Sequence, residues 1–117
     1  MSVIKVQDKK ELVVKLHPVK KIEVIVYGEH ESMVVSMMKE AKIQGYTLIR
    51  NISGQGHHGF HEGKIFFNDK ASLVMFIAVA SESAISTIAL GLKTLFQKNS
   101  GVMFVSDVSV ARIDYFS

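Results

Sequence analysis

The residues best suited to binding a ligand lie in one stretch, between positions 51 and 64. Its sequence is Asn-Ile-Ser-Gly-Gln-Gly-His-His-Gly-Phe-His-Glu-Gly-Lys, with four glycines and three histidines among fourteen residues. Glycine loses more backbone entropy on ordering than any other residue, so this cluster indicates forced positive φ angles, a mobile loop, or both. We interpret the loop as the functional part of the chain and the surrounding elements as the frame that presents it.

The histidines of this loop are His57, His58 and His61. Imidazole is a common ligand of zinc, copper and nickel, and residues 57 and 61 would share a face if the segment were helical. The glycines argue against a helix, and the chain has no cysteine to complete a site. A metal site, a phosphate-binding or pH-sensing role for one histidine, and plain solvated loop residues all stay open.

Nothing in the sequence indicates an enzyme. It contains no Ser-His-Asp order, no paired carboxylates on one element and no P-loop. Asp107 and Asp114 lie seven residues apart on strand-like sequence, which places them on opposite faces. Arg112 lies between them, where a surface salt bridge is its simplest role. A binding protein is the better prediction.

The amino-acid composition narrows the class of protein further. The chain has 117 residues, 48% of them hydrophobic and 21% charged, which predicts one globular domain with a real core. A net charge of +3 is far from a nucleic-acid-binding signature. The absence of cysteine and the lack of an apolar signal core predict a cytoplasmic location, and the longest apolar run, residues 71–80, is about half of a membrane span.

The elements that must position the loop follow from periodicity. Residues 1–18 hold two short β-prone pieces closed by Pro18, and we expect an N-terminal extension, either an arm or an edge strand. The domain proper is 19–117. Val19–Tyr27 alternates as a strand, and a helix follows from about Glu29 until Gly45 stops it. Its apolar stripe consists of Met33, Val34, Met37, Met38 and Ala41.

The second half repeats this order. Tyr46–Ile52 is predicted as a strand that leads into the loop, and Ala71–Ala80 as a buried strand after it. Ser81 is the natural N-cap of a second helix, in which Gly91 permits a close contact. The helix buries Ile85, Ile88, Leu92 and Leu95 on one face. A turn at Asn99-Ser-Gly101 leads into Val102–Val105, and residues 107–115 complete the set.

This order, βαββαβ plus a short C-terminal strand, predicts an α+β protein of ferredoxin-like split β-α-β type. The sheet would have four antiparallel strands with both helices on one face. The strands are apolar on both faces, however, and two helices cannot cover all of Ile25, Tyr27, Val74, Phe76 and Phe104. The uncovered face predicts self-association, as a homotrimer with the sheets facing inward.

At residues 20–116 the chain resembles the PII superfamily of trimeric signalling proteins in element order and length. The resemblance rests on the helix exit Gly45-Tyr-Thr, the loop start Gly54-Gln-Gly56 and the shorter loop 97–102. Ser100-Gly-Val-Met-Phe-Val-Ser-Asp107, with the ending from Ala111-Arg112 to Phe116, looks like the PII-like branch linked to carboxysomes and bicarbonate transporters. This resemblance implies a sensor that binds an adenine nucleotide in clefts between subunits.

In that family the large loop, the T-loop, covers about residues 53–70 here and is expected to be mobile. It would regulate a membrane inorganic-carbon transporter or a carboxysome component. The resemblance assigns nucleotide binding and partner binding to two separate groups of residues. The nucleotide-binding residues would be Gly54, Gly56, His57, Asn99, Ser100, Gly101 and Arg112. The partner-binding loop residues would be Phe60, His61, Ile65, Phe66 and Phe67.

Departures from the classical nitrogen regulators favour AMP or ADP over ATP, with bicarbonate as a candidate second ligand. The second loop, Lys98-Asn-Ser-Gly101, has one glycine and no lysine after it, and histidines replace the basic residues expected after the loop-base glycines. The alternative is a metal-binding trimer of the divalent-cation-tolerance type that uses His57, His58 and His61. A purely structural trimer is the third possibility.

Overall fold

A computed structural model describes residues 2–6, 12–54 and 72–115 of the chain. Short 3-10 turns lie at Gly28–His30 and at Ile113–Tyr115. The described residues also form seven longer elements. They are β1 (Ser2–Val6), β2 (Leu12–Tyr27), α1 (Glu31–Glu40), β3 (Thr47–Ile52), β4 (Leu73–Ala80), α2 (Glu82–Phe96) and β5 (Gly101–Val110).

The central sheet has the strand order β5-β2-β4-β3, and every neighbouring pair is antiparallel. Strand β1 pairs only with the N-terminal part of β2, where Ser2 lies opposite Leu16 and Val6 opposite Leu12. Neighbours in the central sheet are never consecutive in sequence except β3 and β4. This split β-α-β arrangement, with both helices on one face, confirms the predicted ferredoxin-like fold.

The core lies between the helices and one face of the sheet. Alternate residues of β2 and β4 are buried there because successive strand side chains point to opposite faces. The largest of them, Phe76, is fully buried. The helices contribute Val34 and Met38 from α1, and all four residues predicted for α2. The core residues of the strands are Ile22, Val24, Val26, Val74, Phe76, Ala78 and Ala80.

Strand β2 is longer than predicted, because it passes through Pro18 without a break. The prediction that Pro18 closes the N-terminal segment was therefore wrong. The pairing explains why: β4 reaches only to Lys20, so Pro18 has β5 on one side and no ladder with β4 on the other. A proline without an N–H group is tolerated in a strand at such an edge position.

The C-terminal part also differs from the prediction. Strand β5 runs in one piece from Gly101 to Val110, and the 3-10 turn at Ile113–Tyr115 follows it. The additional short C-terminal strand is therefore absent from the described residues. Residues 106–110 are instead the far end of β5, paired with the part of β2 around Pro18.

Helix α1 ends earlier than predicted, and Gly45 does not stop it. Lys42 adopts a left-handed conformation with φ of 61°. The Ile43 N–H then donates to the Met38 carbonyl, and the Lys42 N–H donates to the Lys39 carbonyl. This pair of bonds is the Schellman motif, in which glycine is usual at the left-handed position. Gly45 lies three residues beyond it, in open space.

The predicted stripes of the helices are otherwise largely correct. In α1, Met33 is exposed, whereas the rest of the predicted stripe is buried or packs against the core. In α2, the Ser81 hydroxyl accepts a hydrogen bond from the Ala84 N–H at 3.3 Å, which confirms the N-cap. A Cβ on Gly91 would lie 3.6 Å from the Met37 sulfur, an ordinary contact, so close packing does not require glycine there.

The second face of the sheet is apolar and partly open. The register places Ile25 between Met75 and Val102, with Ile49 and Phe104 further out on the same face. Of these, Phe104 is 56% exposed. Val74 and Phe76, which the sequence grouped with this surface, instead lie under the helices. We call Ile25, Ile49, Met75, Val102 and Phe104 the outer face.

Candidate functional site

Two groups of predicted site residues lie at the same end of the sheet. Strands β2 and β3 end there, and β4 and β5 begin there, since Tyr27 pairs with Leu73 and Val26 with Gly101. We call this the loop end, because it holds both flanks of the segment between β3 and β4. Gly54 and the turn at residues 99–101 both belong to it. They lie at opposite edges, three strand spacings or about 14 Å apart.

Gly54 follows the end of β3 by two residues. It is exposed, and none of the described residues lies within 4 Å of where a Cβ would stand. Just before it, the β3–β4 ladder shifts register between Arg50 and Ile52, with Asn51 at φ of 59°. Asparagine tolerates this left-handed conformation better than most residues, and such a bulge redirects the strand. At Asn51 the chain therefore departs from the regular ladder with β4, and the ladder ends at Ile52.

In the turn at residues 99–101, Asn99 and Gly101 are already engaged in contacts within the chain. The Asn99 side-chain amide donates to the Leu95 carbonyl at 3.1 Å, and its backbone N–H donates to the same oxygen at 3.2 Å. A Cβ on Gly101 would lie only 2.2 Å from the Phe96 ring. Asn99 thus has a structural role at the end of α2, and Gly101 leaves room for the Phe96 ring. The exposed Ser100 has neither of these roles.

Arg112 lies at the opposite end of the sheet. Strand β5 begins at Gly101 at the loop end and extends ten residues, which is about 30 Å, before Arg112 follows. One chain therefore does not bring Arg112 together with Gly54 or Ser100. If these residues share a site, two chains must contribute to it.

An ion pair that the sequence did not predict stands at the loop end. The Arg50 guanidinium donates two hydrogen bonds to the Glu31 carboxylate, Nε to Oε1 at 3.0 Å and Nη2 to Oε2 at 2.8 Å. These hydrogen bonds hold the pKa of Glu31 below its ordinary value, so the carboxylate stays charged at neutral pH. Close by, the Gly28 N–H donates to the Ser72 carbonyl at 2.7 Å.

The far end of the sheet holds an open cleft of about 410 Å³. Lys20 and Asp107, directly opposite each other on β2 and β5, form an ion pair at its wall. The hydrogen bond from Lys20 to Asp107 raises the pKa of Lys20. The cleft is lined by Pro18, Val19, Lys20, Ser81, Glu82, Asp107 and Ile113.

Most of the predicted loop residues lie outside the described part of the chain. This applies to Gly56 and His57 of the nucleotide group, to His58 and His61 of the metal alternative, and to Phe60. It applies equally to the partner-binding cluster Ile65, Phe66 and Phe67. Across residues 14–54 and 72–114, no group of three or more histidine, aspartate or glutamate side chains could hold a metal ion. In the same ranges no helix is long and apolar enough to cross a membrane.

The fold is that of a family of signalling proteins. The sequence profile of the family described as nitrogen regulatory protein P-II matches residues 19–115. The chain belongs to this family, so the predicted resemblance is confirmed. Residues 1–18 lie outside the match, whereas Gly54, the 99–101 turn and Arg112 lie within it.

Solved relatives define the branch more closely. The chain is 38% identical to CPII of Thiomonas intermedia K12, a nitrogen regulatory PII-like protein, with a TM-score of 0.81. The match covers 88% of this chain and 97% of that one, and that structure is bound to ADP, AMP and bicarbonate. A second CPII structure, bound to ADP and bicarbonate, is 36% identical over 89% and 99% of the two chains, with a TM-score of 0.78.

A more distant relative shares the fold. A PII-like signalling protein of Thermus thermophilus is 19% identical, with a TM-score of 0.71 over 88% of this chain and 99% of that one. No curated protein sequence matches the chain.

Proposed function

We propose that the chain is a PII-like signalling protein that binds an adenine nucleotide between the subunits of a homotrimer. AMP or ADP is the favoured nucleotide, and bicarbonate is a candidate second ligand. The observation that carries the proposal is the 38% identity, over 88% of the chain, to a CPII structure bound to ADP, AMP and bicarbonate. The bound nucleotide would control a partner, not a reaction catalysed by this chain.

The outer face supports the proposed trimer. Both helices pack on the opposite side of the sheet, and the outer face leaves Phe104 56%, Val102 46% and Ile49 41% exposed. An apolar surface of this kind on a globular domain marks an interaction site. Three copies with their outer faces turned inward would bury it. The same assembly would also let the far end of one chain approach the loop end of the next.

The described residues fit a nucleotide phosphate in part. Gly54 stands in open space, and Ser100 has an exposed hydroxyl. Arg112 would supply a charge-assisted hydrogen bond from the neighbouring chain. Asn99 and Gly101 fit less well, because α2 and Phe96 already account for them. Gly56 and His57 complete the proposed set, on the resemblance alone.

The proposed output is regulation of an inorganic-carbon transporter or a carboxysome component in the cytoplasm. The loop at about residues 53–70 would make the contact, through Phe60, His61 and the cluster 65–67. The flank before the loop supports this role, because the bulge at Asn51 interrupts the pairing with β4 and Gly54 is exposed. Loss of binding of a bicarbonate transporter on deletion of 57–67 would support this part of the proposal.

Calorimetry with AMP, ADP and ATP, each with and without bicarbonate, tests the nucleotide site. Arg112→Ala removes one charge-assisted hydrogen bond, which is worth about 1.5–3 kcal/mol, so affinity should fall roughly ten- to a hundredfold. Lys93→Ala, which removes an exposed cation from α2, is the matched control and should bind as wild type. Unchanged affinity in Arg112→Ala would refute the residue assignment, and no binding of any nucleotide would refute the function.

The same calorimetry, with histidine variants and with Zn²⁺ as a ligand, tests the metal-binding alternative. If the nucleotide proposal is right, His57→Ala and His61→Ala should each change nucleotide affinity by no more than the loss of one local contact. Titrations of both variants with Zn²⁺ should then produce no heat. Zn²⁺ binding in wild type that disappears in both variants, while nucleotides produce no heat, would favour the metal-binding trimer instead.

A further inference from the structure

Both described flanks of the segment between β3 and β4 are tied to the same short stretch, residues 28–31. On one side, Arg50 of β3 holds Glu31 through two hydrogen bonds of 3.0 and 2.8 Å. On the other side, the Ser72 carbonyl just before β4 accepts from the Gly28 N–H at 2.7 Å. We call residues 28–31, the turn that starts α1, the anchor turn.

The contact with Arg50 lies where the direction of β3 changes. Arg50 pairs with Val74 in regular register, and the next residue, Asn51, is the bulged one at φ of 59°. A bulge disrupts the ladder locally and bends the strand, so the direction of β3 beyond Arg50 is not fixed by regular pairing with β4. A side-chain fork fixed immediately before the bulge limits that freedom.

We propose that Glu31 is a positioning residue, which holds Arg50 and thereby sets the direction in which β3 leaves the sheet toward the loop. Together with the Gly28–Ser72 bond, it makes the anchor turn the common support of both flanks. The competing assignment is that Arg50 itself is the cation that binds an anionic ligand at the loop end.

The geometry favours positioning. The two guanidinium nitrogens that face Glu31 are both engaged, in the parallel fork that arginine and carboxylate form best. The same hydrogen bonds lower the pKa of the Glu31 carboxyl, which means that the fork favours the charged form of this group. The negative charge beside Arg50 also offsets the positive charge that would attract an anion to it. The Arg50 side chain is 63% exposed and the Glu31 side chain 26%, so solvent screens the pair and its expected effect is on local order more than on global stability.

Hydrogen exchange in the nucleotide-free protein is the first test. Glu31→Gln and Arg50→Gln each break the fork with little change in shape. Both should speed exchange of the Gly28 amide and of the β3 amides by about two- to fivefold. The double variant should be no faster than either single one, because the same interaction is lost. Glu29→Gln removes a neighbouring exposed carboxylate whose ion-pair partner is His30 and not Arg50, and should leave these rates unchanged.

Two exchange results would overturn the proposal. One is wild-type rates in both single variants. The other is equal acceleration in the Glu29→Gln control, which would mean that charge at the helix start matters and the fork does not.

Nucleotide affinity supplies the second test, and this part alone rests on the proposed function. If Glu31 positions Arg50, both single variants should weaken AMP or ADP binding by a similar factor, about two- to fivefold. If Arg50 is the ligand, the signs must differ: Glu31→Gln should tighten binding and Arg50→Gln should weaken it. Opposite signs would overturn the proposal. Should the wild type bind no nucleotide, the proposed function fails while the exchange result still decides the role of Glu31.

Discussion

Gly101 offers a direct way to separate a packing role from a ligand-binding role. Sequence resemblance places it in the nucleotide site, whereas the structure places the Phe96 ring against it. A Cβ added at Gly101 would lie 2.2 Å from Cε1 and 2.8 Å from Cδ1 of that ring. Contacts this short do not occur, so in Gly101→Ala the ring or the start of β5 must move.

The cost can be estimated from what Phe96 does. Its half-buried ring packs against the core below α2, and displacing it is equivalent to overpacking a core position. Such changes typically cost about 1–3 kcal/mol. We therefore expect Gly101→Ala to lower the free energy of unfolding by that amount in urea titrations at fixed protein concentration. Gly45→Ala, where a Cβ meets nothing within 4 Å, is the matched control and should be nearly neutral.

A double-variant cycle identifies the cause. If the clash with Phe96 is responsible, Phe96→Ala and Gly101→Ala together should be less destabilising than the sum of the single variants, by about 1 kcal/mol or more. Additive losses, or an unfolding free energy of Gly101→Ala equal to wild type, would refute the packing explanation. A stable Gly101→Ala protein with lost nucleotide affinity would return Gly101 to the binding site.

Three further predictions concern the helix end, the assembly and the loop-end ion pair. Lys42→Gly relieves a left-handed backbone and should raise the unfolding free energy by roughly 0.5–1 kcal/mol in urea titrations, whereas Lys42→Ala should bring no gain. Phe104→Glu places a charge on the outer face and should convert trimers to monomers in light scattering; Leu90→Glu, on the exposed side of α2, should not. In an NMR titration the Glu31 carboxyl should show a pKa below the ordinary glutamate value of about 4.3, and Arg50→Gln should raise it. Because this pKa is lowered in the folded state, the pair stabilises the protein above that ordinary value, and the contribution is lost as pH falls through the lowered pKa.

The main elements could be predicted because burial imposes a period on the sequence. Alternation around Ile22 and Val24 marked β2, and the spacing of Ile85, Ile88 and Leu92 marked the buried face of α2. The cap at Ser81 is likewise local, since a hydroxyl next to the first turn is enough to satisfy an orphan N–H group. From the order of these elements the ferredoxin-like sheet followed, and with it the uncovered face.

Predictions from single residues were wrong where a residue occupies a backbone position that its type tolerates but does not favour. Gly45 resembled a helix stop, but Lys42 takes the left-handed position and the backbone bonds of the Schellman motif compensate for it. Pro18 resembled a boundary, but the missing β4 partner beside it lets the strand continue. Both outcomes depend on what lies next to the residue in space, which propensity alone does not specify.

The sequence showed which residue types could form the candidate site, but not where those residues lie relative to one another. Glycines at the loop base and an arginine near the C-terminus were visible as residues suited to an anion. The sequence did not show that these glycines and this arginine lie at opposite ends of the sheet, because their separation depends on the direction of β5 and on its register with β2. Glu31 and Arg50 are nineteen residues apart on different elements, and neither has a neighbour in sequence that signals the pair. Burial leaves a periodic trace along a chain, whereas a contact between two exposed side chains exists only once the sheet register has placed them side by side.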